Sequence, residues 1–566
     1  MNIHLSDNFR DLLKKSLVLR RLGRKWRSFY FGDLGWSRIL NKDRKFWNEK
    51  LENQALDKHV LVATSFGGEL TMPILESMVA ASLVLRGAKV NSLLCDGLPA
   101  CQLCDTTKFS DINTFVKKGI PKSTCRDCFN SGRKIYNGLG IEPMKYSDFL
   151  QESDYAFAKH VISDLDLESI RNYSFEGVAV GQHAISGTCR FFAKAIFEDE
   201  IYALGVVKRY LQSAILVVIA SKRMLKETKF DVAFFNHGIY VPQGVIGDVA
   251  RQNDVRVVNW NTAYKKKSFI FSHGDTYHHK LMNESVSNWE NLNLSEEQTH
   301  SIKHYIESRA KGKNDWIKFN DSDQIDTSLL YSRLCLTADK PIIGLLTNVA
   351  WDAQLHYPAN AFPNMLTWIM ETINYFVMRQ DLQLIIRIHP AEITGNLVSR
   401  QKVVDEISKK YPLLPSNVKV IPPEDNVSTY DVMSLCDSVL IYGTKTGVEL
   451  TSMGIPVIVS GEAWIRNKGI TTDINSREQY LEVLDKLPFG NRLPLPIQER
   501  ATKYAYHFFF RRMIPINCIE PTNGAPPFIF KLDSVQNLNE GVDLGLDIIC
   551  DGILHGNEFI YPAEKL

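Results

Sequence analysis

Three short segments hold the side chains best suited to chemistry. They are Leu384-Ile385-Ile386-Arg387-Ile388-His389-Pro390, Ser438-Val439-Leu440-Ile441-Tyr442-Gly443-Thr444-Lys445-Thr446-Gly447-Val448-Glu449, and Gly454-Ile455-Pro456-Val457-Ile458-Val459. Two cations, an imidazole and two hydroxyls are the groups that hold a phosphate. Each set of polar residues follows a short β-branched apolar run, the pattern of a parallel strand buried on both faces. In open α/β sheets the ligand crevice lies beyond the carboxyl ends of the strands. Arg387, His389, Thr444, Lys445 and Thr446 are therefore expected at one edge. Thr444 to Gly447 would open a helix whose free amides and positive dipole end suit an anion. A lone His-Pro or Gly-x-Pro-Val is ordinary punctuation between elements. Their order and spacing on one expected sheet edge point to capture of a negatively charged nucleotide.

The elements that must position these groups alternate regularly. Strands are expected at Pro341–Val349, Leu384–Ile388, Val418–Ile421, Val439–Tyr442 and Pro456–Val459, and helices at Asn364–Arg379, Arg400–Tyr411, Asp431–Cys436 and Gly447–Met453. Such alternation makes a doubly wound parallel sheet. Thr347 and Asn348, at the end of the first of these strands, would face the cleft and bind sugar or phosphate, or cap the helix that begins near Phe362-Pro363.

At these residues the chain resembles a known family. Arg-x-His-Pro (387–390), Tyr-Gly-Thr-x-x-Gly-x-Glu (442–449) and Gly-x-Pro-Val (454–457) look like the nucleotide-binding half of capsule polysaccharide biosynthesis glycosyltransferases of GT-B fold, the group that includes bacterial β-Kdo transferases. His-Pro at a strand end recurs in CMP-sialic acid transferases and CDP-glycerol glycerophosphotransferases, and the resemblance implies that His389 contacts donor phosphate. It also implies a carboxylate, Glu449, near the nucleotide ribose. The likeness is firmest over Lys340 to Leu487, and Trp351-Asp352 resembles that family's loop below the donor.

A second α/β unit precedes this one. His59–Ser65 reads as a buried strand, Gly67-Gly68-Glu69 as a loop, Met72–Arg86 as a helix and Lys89–Leu94 as the next strand. The glycines let backbone approach a ligand and leave Glu69 at the sheet edge. Glu69 is thus a candidate general base, or a loop or helix-cap carboxylate. Asp231–Gly238 and Ile270–His278 each carry a His-Gly pair at a strand end, which puts His237 and His273 at the crevice with Asp275. Glu69, His237 and Asp275 are the candidate bases for an acceptor hydroxyl, and His389 the group that binds or protonates the leaving phosphate. Arg387 and Lys445 would supply positive charge as the bond breaks. Tyr442, Gly443, Thr444, Thr446, Gly447 and Glu449 would complete the nucleotide site with Thr347 and Asn348.

Between these strands Cys101-Gln102-Leu103-Cys104 and Cys125-Arg126-Asp127-Cys128 are separated by 20 residues. Two C-x2-C knuckles at this spacing suit a tetrahedral zinc site, with four reduced thiols or an iron–sulfur cluster as alternatives. A four-thiolate site leaves no open position, so the metal would hold a loop. Cys95 is a candidate fifth thiol or a residue packed at the strand end.

At 566 residues the chain exceeds one core. The expected architecture is α/β and GT-B-like: a basic segment over 1–45, a Rossmann-like acceptor domain over 55–322 with the cysteine-rich insertion at 95–130, a Rossmann-like nucleotide-sugar domain over 323–500, and a closing helix and tail over 501–566. The stretch from Glu290 to Asp321 reads as an exposed insertion or linker. A net charge of +2 argues against a general nucleic-acid binder. No run approaches the roughly 20 apolar residues of a membrane span. With no signal core at the start, a cytoplasmic protein is expected. Phe9 to Phe31 carries Arg10, Lys14, Lys15, Arg20, Arg21, Arg24, Lys25 and Arg27 among apolar residues. Such a helix can lie on an anionic membrane face or dock on the protein itself.

The resemblance thus implies a cytoplasmic or peripheral glycosyltransferase of surface polysaccharide synthesis, taking a sugar from a nucleotide donor, CMP-linked among the options, to a glycan or lipid-linked acceptor. The triplets Asp164-Leu165-Asp166 and Asp321-Ser322-Asp323 fall in helical or linker sequence, so no catalytic divalent metal is implied. A CDP-dependent phosphotransferase or sugar-nucleotide epimerase on the same scaffold is the first alternative. A non-catalytic membrane-associated assembly subunit is the second.

Overall fold

The computed structural model describes residues 32–109, 111–310, 315–316, 327–353, 355, 357–522, 524 and 526–566. The basic stretch Phe9 to Phe31 and the triplet Asp321-Ser322-Asp323 lie outside the described residues.

Two sheets organise the chain. The first contains β1 (His59–Ser65), β2 (Lys89–Leu94), β3 (Met144–Lys145), β4 (Val232–Asn236), β5 (Arg256–Thr262) and β6 (Ser268–His273). The second contains β7 (Ile342–Leu346), β8 (Gln383–Arg387), β9 (Val418–Ile421), β10 (Ser438–Ile441), β11 (Val457–Val459) and β12 (Thr472–Asp473). The second sheet runs β12-β11-β10-β7-β8-β9, and all of its pairs are parallel. Its first strand lies beside its fourth, so the chain winds outward in both directions from β7 and β10. The first sheet repeats that winding through β3-β2-β1-β4-β5. Both are Rossmann-like.

The first sheet departs from parallel pairing at one edge. β6 pairs antiparallel with β5 because the connection 263–267 is too short for a crossover. A late strand, β13 (Ile514–Pro515), then adds antiparallel to β6. The tail beyond Cys518, from which the sequence pattern reads nothing, forms a two-stranded hairpin, β14 (Ile519–Pro521) with β15 (Phe528–Phe530), and a helix, Leu544–His555. That helix packs on Thr71–Leu85, where Arg86 pairs with Asp547. Gly545 lets the start of the C-terminal helix lie against β13, since a Cβ there would lie 1.7 Å from the Pro515 carbonyl oxygen. The C-terminal residues therefore close the first half.

Helix Ala203–Glu227 is the one described helix long and apolar enough to cross a membrane, and 72% of its apolar window is buried inside the fold. It packs against helices Val180–Phe192 and Gln243–Gln252 as a core element. The segment Ala179–Thr188 lies almost wholly within the helix Val180–Phe192. Asp166 caps the helix Leu167–Arg171 through the Ser169 amide, so the described Asp-x-Asp triplet is a helix start.

Helix Thr71–Leu85 is buried along nearly its whole length and carries one carboxylate, Glu76, inside the core. Glu76 accepts a hydrogen bond from Trp260 Nε1 at 2.7 Å. Burial nevertheless raises its pKa to about 7, against hydrogen bonds from Thr64 and Trp260 that lower it. The folded state thus keeps a proton that an unfolded chain loses near pH 4.5, and this group costs stability as pH rises from there toward neutrality. Glu76→Gln keeps an acceptor for Trp260 and removes the charge. It is expected to unfold at higher urea than the parent at pH 8, by on the order of 1–3 kcal/mol, with the gap closing in acid. Lower stability at pH 8 would refute this account.

Candidate active site at the edge of the second sheet

β7 and β10 are neighbours whose following segments turn to opposite faces of the sheet. A crevice opens between those segments, as the winding rule requires. A cavity of about 350 Å³ occupies that position. From the second half come Thr347, Asn348, Asp352, Tyr357, His389, Tyr430, Thr444, Lys445, Thr446, Glu462 and Trp464, and from the first half and the connecting helix Tyr264, His278, Arg309 and Asp315. It is therefore a cleft between the two halves.

His389 follows β8, and its backbone amide donates to Thr347 Oγ1 at 2.9 Å, which joins the ends of β7 and β8. Nδ1 accepts from the Ala391 amide at 3.0 Å. In the neutral ring Nε2 therefore carries the proton. Burial, with Lys445 and Arg387 nearby, lowers its pKa to about 4. His389 is thus a neutral hydrogen-bond donor. Asn348 contributes a buried Oδ1 with no partner among the described residues. Thr444 and Thr446 place their hydroxyls 3.1 Å apart.

Arg387 and Tyr442 also line the cavity, and each makes hydrogen bonds within the protein. The Arg387 guanidinium donates to the carbonyls of Pro422 at 2.5 Å and Asp425 at 2.9 Å, bracing the segment after β9. Tyr442 donates its hydroxyl to the Phe362 carbonyl at 2.7 Å. Its neighbour Gly443 lines the cavity. Gly447 is buried in helix Thr446–Ser452, where a Cβ would lie 2.7 Å from Ile441 Cδ1. The amide of Thr446 already points to Thr444 Oγ1 at 3.4 Å. That amide is therefore directed at a hydroxyl within the turn.

Glu449 lies beneath the cavity wall and is fully buried. Lys445 Nζ reaches Glu449 Oε1 at 2.6 Å and Arg309 Nε reaches it at 2.9 Å, while Arg309 Nη1 meets Asp315 Oδ2 at 2.5 Å. Burial alone would raise the Glu449 pKa, but Lys445 and Arg309 together hold it below the usual carboxylate value. Burial, with repulsion from Arg309, lowers that of Lys445 to about 8 against the pull of Glu449. Arg309 belongs to helix Glu296–Ala310, which packs on Leu495–Tyr506. That segment, expected to be an exposed linker, instead delivers a cation to the site.

A histidine clamp joins the two halves beside the cavity. His279 Nδ1 meets Asp275 Oδ2 at 3.2 Å and His279 Nε2 meets Glu462 Oε2 at 3.1 Å. Burial would lower the pKa of His279, yet the two carboxylates raise it to about 9. Its neighbour His278 accepts from Trp464 Nε1 at 3.1 Å, and burial lowers its pKa to about 4.

The candidate bases are dispersed. Glu69 Oε1 accepts from the Thr71 amide at 3.1 Å at the start of a helix and does not line the cavity. Asp275 serves the clamp. His237 is half-buried at φ 66°, its ring 5.2 Å from that of Tyr240, with its pKa lowered to about 4 by desolvation. Tyr240 donates to Asp352 Oδ1 at 2.8 Å across the cleft, so Asp352 is the carboxylate that lines the cavity on this side. His273 Nε2 meets the Asn557 carbonyl at 2.8 Å.

Cys101, Cys104 and Cys125 are buried and Cys128 half-buried, all as thiols. Among the described residues no group of three or more His, Cys, Asp or Glu stands arranged to hold a metal ion. The expected knuckle is thus not assembled as the side chains lie. Arg309, Tyr264, Glu462 and Trp464 escaped sequence reading because no local motif marks them. His278 stands in the strand-end segment Ile270–His278, close in sequence to His273 and Asp275, and that proximity is a signal.

Two Rossmann-like sheets with the cavity between them define an α/β protein of parallel-dominated sheets. No family model matches the chain, and no curated protein does. Among solved structures it is similar to the KpsC β-Kdo 2,4-transferase of Thermosulfurimonas dismutans, at 13% identity and TM-score 0.32 over 55% of this chain and 87% of that one. It is also similar to the KpsC β-Kdo 2,7-transferase of the same organism, at 14% identity and TM-score 0.31 over 56% and 88%. A third is the UDP-GlcNAc 2-epimerase of Methanocaldococcus jannaschii in complex with UDP-GlcNAc and UDP, at 10% identity and TM-score 0.25 over 79% and 97%.

Two variants test the charge arrangement. Arg309→Ala leaves Glu449 buried beside one cation and is expected to cost about 3–5 kcal/mol in denaturant titration. For His279 the folded pKa lies above the free value of 6.5. Its stabilisation is therefore complete below pH 6.5 and is lost as pH rises through about 9. His279→Gln should be weaker than the parent at pH 6 by on the order of 1–3 kcal/mol and nearly equal to it once pH exceeds about 9. An equal deficit at both pH values would exclude the ionic clamp.

Proposed function

We propose that the chain is a glycosyltransferase of GT-B type that binds a nucleotide-sugar in the cavity and passes the sugar to a glycan or lipid-linked acceptor entering from the first half, in surface polysaccharide synthesis. One observation carries the reading: a neutral His389 donor, paired threonine hydroxyls and the Lys445 and Arg309 cations converge on one cavity at the switch point of a Rossmann-like sheet. A phosphate there meets donors and positive charge in a partly desolvated cleft, where each interaction is stronger than in water. The motif resemblance at 387–390 and 442–449 favours the same ligand class. The first half closes the cleft above it with His278 and Tyr264.

In this reading His389 donates its Nε2 proton as a hydrogen bond to the leaving phosphate. Lys445 and Arg309, with Arg387, which also lines the cavity, offset the charge that develops as the glycosidic bond breaks. Asn348 Oδ1 accepts from a donor hydroxyl. Inversion at the sugar needs a base on the acceptor oxygen. Asp352 is a carboxylate that lines the cavity on the side of Tyr240, and His237 stands beside Tyr240. The protein would act in the cytoplasm, where nucleotide-sugars are made.

The test is a thermal-shift screen with CMP, CDP, UDP, GDP and phosphate, run in parallel on His389→Ala. A ligand at a hundredfold excess over Kd stabilises by about 2.7 kcal/mol, so a true site is readable. A nucleotide-dependent rise lost in the variant is expected. No rise with any nucleotide would overturn the reading in favour of an assembly role. Mass analysis of products separates glycosyl transfer from phosphotransfer, which leaves phosphate in the product.

A further inference from the structure

A cation without a counter-ion stands where the two halves meet. Arg190 lies in the last turn of helix Val180–Phe192 and is half-buried. Among the described residues no hydrogen bond or ion pair ends on its guanidinium, and its Nε is buried without a partner. A charge taken from water without an anion costs free energy, so most such groups are paired. Other arginines near the cleft obey this rule: Arg309 pairs with Glu449 and Asp315, Arg400 with Glu200, and Arg387 with backbone carbonyls. Arg190 is the exception among them.

What holds Arg190 is aromatic. Its guanidinium carbon lies 5.7 Å from the ring centroid of Tyr240 in the first half and 5.9 Å from that of Trp351 in the second. Both rings are fixed. The Tyr240 hydroxyl donates to Asp352 Oδ1 at 2.8 Å and accepts from the Ala353 amide at 2.7 Å, while Trp351 Nε1 donates to Ser399 Oγ at 2.9 Å. Ring faces attract a cation but take none of its hydrogen bonds. The planar fork of N–H groups is thus set in place with its donors unspent. Asp105 lies within electrostatic reach of Arg190 but is itself paired with Lys108 at 2.9 Å. The carbonyl end of a helix also favours a cation, yet none of the described carbonyls accepts from this one.

Position gives the class of ligand. Arg190 is not among the described residues that line the donor cavity, whereas Asp352, next to Trp351 in sequence and bonded to Tyr240, does line it. A molecule held by Arg190 therefore enters on the side of Asp352, the carboxylate placed to take the acceptor proton. We propose that Arg190 binds an oxyanion of the acceptor, a carboxylate or a phosphate, and so selects acidic over neutral acceptors. This rests on the glycosyltransferase reading above. Two guanidinium N–H groups meet two oxygens of either anion side by side, an arrangement that a neutral sugar hydroxyl does not offer.

The full chain is titrated, with ligand-observed NMR, against a glucuronate-containing hyaluronan tetrasaccharide, its carboxyl-reduced neutral form, and glycerol phosphate. Arg190→Gln and Arg190→Lys are run beside the parent. The parent is expected to bind one of the two anions about tenfold or more tightly than the neutral form, and which anion it prefers separates carboxylate from phosphate. Arg190→Gln should lose the preference, and Arg190→Lys, which keeps the charge without the fork, should recover only part of it. The nucleotide-dependent thermal shift should be the same in both variants as in the parent. Equal binding of charged and neutral probes by the parent, or a preference that survives in Arg190→Gln, would overturn the anchor. A lowered Tm in Arg190→Gln with no anion preference in the parent would make Arg190 a stacking contact between the halves, and a lost nucleotide shift would move it to the donor site; either result also overturns the proposal. The anion titration needs no nucleotide. A parent that binds no nucleotide yet keeps the Arg190-dependent preference would sink the glycosyltransferase reading and leave the anion site standing.

Discussion

A carboxylate that cannot reach water governs the second half of this protein. Glu449 is completely enclosed, and an unpaired charge there would cost several kcal/mol. Its partners are therefore obligatory. Lys445 comes from the turn before the same helix, four residues earlier, whereas Arg309 comes from a helix that precedes the whole second sheet. Satisfying one buried charge draws the connecting helix against the sheet, and that helix in turn packs on Leu495–Tyr506. The cavity wall is a by-product of this pairing: Arg309, Asp315 and Lys445 line the cavity because Glu449 lies behind it.

Across the cleft the same logic recurs in smaller form. His279 is held between one carboxylate from each half, Asp275 and Glu462. Glu462 also accepts the Ala359 amide at 3.1 Å, so the segment after β7 is tied to the clamp. Tyr240 and Asp352 make a second bridge. The halves are thus joined beside the cavity by polar contacts.

Reading the sequence located most of the strands, because β-branched runs buried on both faces leave a strong local pattern. The crevice was legible too, since a winding order together with polar strand ends implies where a ligand must sit. The details at that edge were less so. Arg387 was expected at the phosphate, yet the carbonyls of the segment after β9 take its donors. Glu449 was expected at the ribose, yet it is an internal counter-ion. Both residues sit where the motif placed them along the chain, but backbone position does not settle where a long side chain finds its hydrogen bonds. The C-terminal helix Leu544–His555 left no readable mark, because its apolar face only makes sense against the helix Thr71–Leu85, far away in sequence.

What the sequence determined by itself is local: strands, turns, the residue types at strand ends and the pairing of cysteines at knuckle spacing. These follow from side-chain periodicity and backbone preference within a few residues, which any stretch carries with it. Tertiary structure decided the rest. It chose Arg309 over Arg387 as the cation beside Lys445, turned His389 into a neutral donor by burying it, and set Asp275 in a clamp instead of at an acceptor. Each of these outcomes depends on which distant charge or carbonyl lies within about 3 Å once water is excluded, and that distance exists only after the two sheets have come together.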